Sequence, residues 1–239
     1  MEDHTLASRL LPRPTARSLS AIAVFAAVQA VVTVVPFSIA IGVSGSITLG
    51  VVTAPMIGLL IGPVAGGLSV AVGSLIGLFL NPAGAIFGFL TILPPALGAV
   101  AAGCVRIKRA YVPGAIILLS IVAFYAHPFG RAAMFYPWLH VVAMILAFSP
   151  IANLAAAYFA STQLKKITVA VAIAALIGTL TDHAFGSAMG IWYYNLPPAI
   201  WNTITYVYPL ERMVAVIIAT VVGAAVYHRL KLSGMIETL

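Results

Sequence analysis

Four ionisable side chains lie inside strongly apolar parts of the sequence, and they are the first candidates for chemistry. Asp182 and His183 fall in one apolar block, and Glu211 and Arg212 fall in the next. A charge at the centre of a membrane helix costs at least about 2.5–3.5 kcal/mol, so such side chains usually pair or face a cavity. Asp182 with Arg212, or His183 with Glu211, can form a buried pair that fixes helix register. In the alternative, one member stays free for a ligand.

The composition around these residues is that of a polytopic membrane protein. The 239 residues are 62% hydrophobic and 7% charged, and no polar segment is long enough for a separate soluble domain. The net charge of +7 would suggest nucleic acid in a soluble chain, but here the placement of basic residues matters more than their sum. We therefore expect a lipid bilayer and no nucleic acid as partner. The single cysteine, Cys104, excludes an intramolecular disulfide and a thiolate metal cluster, and we expect no metal or cofactor.

Eight apolar blocks follow one another along the chain. They cover residues 18–37, 47–61, 64–80, 85–104, 112–127, 138–160, 167–191 and 206–228. A full span needs about 20 residues, so the short second and third blocks are tilted or form a broken pair that meets at Gly62-Pro63. The sequence predicts an all-α integral membrane protein. Its fold is a compact bundle of about eight transmembrane helices, within a range of six to eight, several of them short and interrupted by glycine or proline.

Glycine is unusually frequent between residues 47 and 104, where no charged side chain occurs. A glycine in a helix interior costs about 1 kcal/mol relative to alanine, so a soluble helix would avoid so many. In lipid, small residues four apart let two helix backbones touch, as with Gly73 and Gly77 or with Gly84 and Gly88. The pattern predicts short membrane helices packed closely on one another.

The basic residues orient the bundle. Eight crossings place ten of the twelve on one side, and the positive-inside rule makes that side the cytoplasm. The expected organisation is a cytoplasmic segment at 1–17, one transmembrane domain at 18–229 and a cytoplasmic tail at 230–239, with both termini inside. The apolar run 19–37 is longer than the core of a signal peptide and lacks a clear cleavage site, so we expect a retained first helix. The clusters are Arg9, Arg13 and Arg17; Arg106, Lys108 and Arg109; Lys165 and Lys166; Arg229 and Lys231.

Aromatic side chains concentrate in the connections predicted to lie outside. An interfacial aromatic belt explains them without a ligand, although a belt normally marks both membrane faces. A pocket for a flat organic molecule is the other explanation, and it remains open beside the first. One group contains Phe124, Tyr125, His127, Phe129, Phe135, Tyr136, Trp138 and His140, and the second contains Trp192, Tyr193, Tyr194, Trp201, Tyr206 and Tyr208.

Catalytic motifs are largely absent. No G-x-x-x-x-G-K-[ST] sequence is present, so we do not expect the chain to hydrolyse nucleotides itself, and no H-E-x-x-H metal motif occurs. Gly42 to Gly45 reads GxSG around Ser44, and His183 is followed by glycines, which resembles rhomboid intramembrane proteases. Five helices separate Ser44 from the His183 helix and an H-x-x-x-N pattern is missing, so a hydrolase is an unlikely alternative.

Three stretches resemble the substrate-binding S-component of energy-coupling factor (ECF) transporters. Residues 55–89 read PMIGLLIGPVAGGLSVAVGSLIGLFLNPAGAIFGF, and LPPALGAVAAG follows at 93–103. The small residues Ala23 and Ala27, echoed by Ala26 and Ala30, resemble the family's docking face, and PLERMVAVIIATVVGAAVYHRL resembles its last helix. The resemblance covers about two thirds of the chain. The family usually has six helices, whereas eight are expected here.

The resemblance implies a function and partners. It implies capture of a vitamin or its precursor from outside a prokaryotic cell membrane, with a T-component and two ABC-type ATPase subunits supplying the energy. Ala23 and Ala27 would then dock on the T-component. An ion- or proton-coupled secondary carrier that uses Asp182 and Glu211 is the main alternative. The expected substrate-binding residues are Ser44, Asp182, His183, Trp192, Tyr193, Trp201, Asn202, Glu211 and Arg212.

Overall fold

The computed structural model describes residues 16–35 and 49–235, and this part of the chain is almost entirely helical. Between α3 and α4 two short 3-10 turns, Pro82–Gly84 and Leu90–Ile92, flank a four-residue strand, Ile86–Phe89. The described helices are α1 (Ala16–Val32), α2 (Gly50–Ile61), α3 (Pro63–Leu80), α4 (Leu93–Arg106), α5 (Tyr111–Ala126), α6 (Pro128–Ala132), α7 (Trp138–Phe148), α8 (Pro150–Tyr158), α9 (Leu164–Tyr194) and α10 (Pro198–Leu232).

Several helices have the length and composition of membrane spans. Within the described residues these are four segments, Pro63–Leu80, Gly88–Arg106, Leu164–Tyr194 and Pro198–Leu232. The pair α7–α8 bends by 68° and would add a fifth if it crosses as one unit. The shorter apolar helices are α1, α2 and α5. The predicted all-helical architecture is confirmed and several helices are long and apolar enough to cross a membrane, whereas eight crossings remain a prediction.

The predicted break between the second and third blocks is present. Helix α2 ends at Ile61, and Gly62 has φ +88°, a conformation that glycine adopts without steric cost. Pro63 then opens α3 at its first position, where its missing N–H breaks no helical hydrogen bond.

The small residues of α3 pack against α1. A methyl group at Gly73 would lie 2.6 Å from Gln29 Cβ, and one at Gly77 would collide with the Thr33 hydroxyl. The predicted close approach at Gly73 and Gly77 is therefore confirmed. The second pair is wrong, because Gly84 lies in a 3-10 turn and Gly88 in the strand, with φ +58° and no neighbour at its Cβ position.

Helix α9 runs through the bundle and meets α2 and α4 at one glycine. A Cβ atom at Gly178 would lie 2.8 Å from Gly98 O, 3.0 Å from Pro55 Cβ and 3.1 Å from Ala102 Cβ. Only a residue without a side chain allows three helices to meet there. This contact fixes the part of α9 that carries Asp182, whose Cβ lies 3.0 Å from the Cβ position of Gly98.

Basic side chains that follow two of the apolar blocks lie at one end of the bundle. Arg106 Nη1 donates to Leu59 O at 2.7 Å and to Leu60 O at 2.6 Å, and its guanidinium lies 5.9 Å from the Tyr227 ring centroid. Lys231 Nζ, at the end of α10, donates to Phe159 O at 2.5 Å. The opposite end contains the last turns of α1, α3 and α9 and the first turns of α2, α4 and α10. That this basic end faces the cytoplasm remains a prediction.

Two long helices replace the predicted external connection at 192–201. Helix α9 continues to Tyr194 and ends at Asn195, whose left-handed conformation (φ 50°) caps it. Pro198 then begins α10, eight residues before the predicted start, because proline at the first helical position is pre-set for a helix. The connection is reduced to residues 195–197. Helix α4 begins later than predicted. It starts at Leu93, after the strand, whereas the predicted apolar block starts at residue 85.

Candidate binding site

A cavity of about 270 Å³ lies at the end of the bundle opposite the basic residues. Helices α1, α2, α3, α4, α9 and α10 and the strand all contribute to its lining. Most of the wall is apolar or aromatic, including Phe87, Tyr194, Trp201 and Ile204. The cavity therefore combines contributions from the N-terminal third of the chain with those of its last two helices.

Three charged residues line this cavity: Asp182 on α9, and Glu211 and Arg212 on α10. We call them the charged trio. Asp182 and Glu211 are the only acidic residues between positions 4 and 236 of the sequence. Arg212 is buried, with 4% of its surface exposed. The acidic side chains of the apolar region thus meet in one place.

Two atoms of the charged trio have no hydrogen-bond partner among the described residues. Glu211 Oε1 and Arg212 Nε are buried without a hydrogen bond, and no ion pair within 4.0 Å joins either residue to Asp182 in residues 16–35 and 49–235. Glu211 and Arg212 form no direct side-chain contact with one another, because adjacent residues on a helix do not face each other. Neither predicted pair, Asp182 with Arg212 or His183 with Glu211, forms in the structure.

His183 instead pairs with a histidine from α7. His183 Nδ1 lies 2.9 Å from His140 Nε2, so one of these nitrogens donates to the other. The two rings are stacked with centroids 5.1 Å apart, and the Tyr208 ring stacks on His183 at 4.6 Å and on His140 at 5.3 Å. Three aromatic rings, one each from α7, α9 and α10, therefore pack together as a single stacked group.

Hydrogen bonds complete this arrangement. The Ser187 hydroxyl donates to His183 O at 2.6 Å and therefore accepts from the Tyr136 hydroxyl at 2.7 Å. The Tyr208 hydroxyl donates to Tyr136 O at 2.9 Å and accepts from Leu139 N at 3.3 Å. We call Tyr136, His140, His183, Ser187 and Tyr208 the ring cluster. Each of its side chains has a hydrogen-bond partner.

The opposite wall of the cavity carries neutral polar groups that sequence analysis missed. Gln29 on α1 is fully buried, accepts from Thr53 Oγ1 at 2.6 Å and donates to Ser74 Oγ at 3.4 Å. Asn81 and Thr91 also line the cavity. Gln29 is the only amide in the first apolar block, and that was the available signal.

Five of the predicted binding residues line the cavity, and three others do not. Trp192 and Tyr193 are 57% and 60% exposed, and Asn202 is also exposed. These three side chains do not line the cavity because the chain is helical here, and each residue turns the side chain by about 100°. Ser44 lies outside the described residues. Those that line the cavity are Asp182, His183, Trp201, Glu211 and Arg212.

The two explanations of the aromatic residues each apply to part of them. Phe124 and Tyr136 are buried and stacked with centroids 4.9 Å apart, and Trp201 packs edge-on against both. Phe135 and Trp138 are exposed, in positions that suit an interfacial belt. The same sequence group therefore supplies both inward and outward rings.

Helix α1 has two different alanine faces. Ala26 and Ala30 are buried, and their carbonyl oxygens lie against Gly73 and Gly77 of α3. Ala23 and Ala27 are exposed on the other side of the helix. Ala23 and Ala27, the predicted docking residues, are therefore not buried by any helix of the described bundle.

Known proteins offer one relative and no assigned activity. Over 167 residues the chain is 32% identical to an uncharacterized protein of Methanocaldococcus jannaschii, a match that covers 70% of this chain and 54% of the relative. The chain thus spans about half the length of the curated relative that it matches. No family model matches the sequence, and no solved structure matches it.

Proposed function

We propose that this protein captures a small organic solute in the cavity and serves as the S-component of an ECF-type importer for a vitamin or precursor. The observation that carries the binding proposal is the charged trio, which lines the cavity of an apolar bundle and has two buried atoms, Glu211 Oε1 and Arg212 Nε, without a hydrogen-bond partner. An isolated buried charge is strongly unfavourable, with an effective penalty of several kcal/mol per ion. A ligand that supplies the missing hydrogen bonds explains why these groups are there.

The importer assignment comes from the sequence resemblance. It adds a T-component and two ABC-type ATPase subunits as partners, since this chain contains no nucleotide-binding motif and acts as a binding subunit, not an enzyme. The exposed Ala23 and Ala27 are the proposed contact with the T-component. Small residues on a helix surface allow the close approach on which association in lipid depends.

Mass spectrometry of co-purified small molecules tests the binding function. We expect a solute to be released from denatured wild-type protein and from the control Asn202→Ala, whose side chain faces away from the cavity. Glu211→Gln should retain much less of it. Equal amounts in all three proteins, or none in any, would contradict capture in this cavity.

A matched pair of substitutions on α1 tests the partner. Ala27→Trp should abolish ATP-driven uptake in cells that express the energising subunits, while solute binding stays near that of wild type. Ala26→Trp is the contrasting variant, because its side chain would have to enter the α1–α3 contact and should unfold the bundle. Normal uptake by Ala27→Trp would remove this face from the docking proposal.

An ion- or proton-coupled secondary carrier is the second candidate, and the unpaired carboxyls of Asp182 and Glu211 favour it. A carrier works alone, so the purified chain in liposomes would accumulate solute when a proton or sodium gradient is imposed. The importer subunit would bind solute but not accumulate it. The hydrolase alternative needs Ser44, and the described histidine it would use, His183, is already paired with His140.

We also propose that the cavity end faces the outside of a prokaryotic cell and that both termini are cytoplasmic. In a Cys104→Ala background, Asn195→Cys should react with a membrane-impermeant thiol reagent added to intact cells. Cys104 itself is buried, which limits background labelling. Reaction only after the cytoplasmic side is opened would reverse the proposed orientation.

A further inference from the structure

We infer that the solute is a monocation built on a flat aromatic ring, with one hydrogen-bond donor for Glu211 and one acceptor for Arg212. The inference rests on the proposed binding function and adds the charge and shape of the ligand. It comes from the charges, the unpaired atoms and the rings that surround the cavity.

The charge of the lining favours a cation. Two carboxyl groups, Asp182 and Glu211, line the cavity with one guanidinium, Arg212, so the formal charge of these three side chains is one negative unit. His183 is hydrogen-bonded to His140 within the ring cluster. The segment 36–48, PFSIAIGVSGSIT, contains no ionisable side chain and adds no charge wherever it lies. An excess charge interacts more strongly in a low-dielectric site than in water, so a positive ligand is attracted.

The unpaired atoms indicate the hydrogen bonds that the proposed ligand would supply. Glu211 Oε1 is an acceptor and requires an N–H or O–H group. Arg212 Nε is a donor and requires an oxygen or an unprotonated ring nitrogen. The two residues are adjacent on α10 and point in different directions, so a simple inorganic ion would not satisfy both.

The rings define the shape. Trp201 and Tyr208 of α10 line the cavity together with Phe87 and Tyr194, whose centroids are 5.7 Å apart. Such faces pack against a planar ring and attract positive charge through the ring quadrupole. A volume of about 270 Å³ lies just below the usual range of about 300–1,000 Å³ for ligand pockets, which suits one or two fused rings.

Three probes of nearly equal size isolate the charge. Benzamidinium, benzamide and benzoate share the ring and differ in the charge of one substituent. We expect benzamidinium to bind the wild-type protein in nanodiscs about 10-fold or more tightly than benzamide, the value of a charged hydrogen bond, and benzoate to bind least. Isothermal titration or ligand-observed NMR measures the three affinities.

Two variants locate the effect. In Glu211→Gln the preference for benzamidinium over benzamide should fall to about three-fold or less, because the substitution removes the charge and keeps the shape. Asn202→Ala should keep the wild-type preference. Thermal unfolding of each variant without probe confirms that it is folded.

The outcomes separate this inference from the proposed function. Equal affinities for the three probes, or tightest binding of benzoate, would overturn the cation assignment while still supporting binding in the cavity. No binding of any probe would also overturn it, and the co-purification experiment would then decide on solute capture independently. A preference for benzamidinium that survives in Glu211→Gln would overturn the role given to Glu211.

Discussion

The ring cluster and the charged trio adjoin one another in the same apolar bundle, yet they differ in how their polar atoms are satisfied. In the ring cluster, His140, His183 and Tyr208 stack, and each polar side chain has a partner. In the charged trio, Glu211 and Arg212 have buried atoms without any. The stronger charges are thus the ones that the protein leaves unpaired.

This difference indicates that the ring cluster stabilises the fold, whereas the charged trio is available for binding. A fully satisfied polar network rigidifies a core and specifies its packing, whereas a partly satisfied one destabilises it. The ring cluster connects α7, α9 and α10 and holds the cavity wall in place. The charged trio provides no comparable connection within the described part of the chain, and we propose that it serves to bind a ligand instead. The two regions should therefore respond to mutation in opposite ways.

The largest effect is expected for His140→Ala. The ring is 1% exposed, and its removal leaves a void and an unpartnered nitrogen on His183. Removing a large buried ring costs about 3–5 kcal/mol. The midpoint of thermal unfolding in detergent should fall sharply without ligand. An unchanged midpoint would show that the ring cluster does not stabilise the bundle.

Neutralising the charged trio should increase the stability of the protein instead of decreasing it. The triple variant Asp182→Asn, Glu211→Gln, Arg212→Met removes all three charges and nearly preserves volume. Replacing buried charges with neutral side chains is often stabilising, here by about 1–2 kcal/mol, and the variant should bind no benzamidinium. Unfolding and titration on one preparation measure both. A less stable triple variant would mean that the trio is structural after all.

A smaller loss is expected for Tyr208→Phe. The substitution keeps the stacked ring and removes one hydroxyl, which leaves Tyr136 O and Leu139 N without their partner. The expected decrease in stability is about 1–2 kcal/mol, the cost of unsatisfied buried groups. The same unfolding assay measures it, and a decrease as large as that of His140→Ala would assign the stabilisation to the hydroxyl, not to stacking.

The smallest effect is expected for Asn202→Ala. The side chain is exposed and outside the cavity, so stability and probe affinity should both stay within error of wild type. This variant sharpens the comparison because sequence analysis placed Asn202 in the site. A clear loss of probe affinity in Asn202→Ala would show that Asn202 belongs to the binding site.

The sequence predicted the helices well because membrane burial imposes strong local rules. Apolar blocks and the Gly62-Pro63 break follow from composition and from the chemistry of glycine and proline. Charges such as Asp182 and Glu211 stand out against an apolar background, which is why they were found. The same reasoning identified Arg212.

The remaining features depend on helix phase and tertiary contacts. Trp192 and Asn202 lie outside the cavity because the predicted loop is helical, and only the phase of each helix decides which side chains face inward. The ring cluster was missed because His140 and His183 come from different blocks, 43 positions apart. No spacing rule brings such residues together before the bundle is built.

The unequal lengths of the helices determine how deep the cavity lies. At about 1.5 Å per residue, Glu211 is about 30 Å along α10 from Lys231, close to the full thickness of a bilayer's hydrocarbon layer. With Lys231 anchored at one interface, the charged trio reaches the far edge of the hydrocarbon, and the first turns of α10 project into the headgroup region. Helix α2, with 12 residues, covers only about 18 Å of that depth. Among the described helices, the cavity therefore has a lower wall on the side of α2 than on the side of α10.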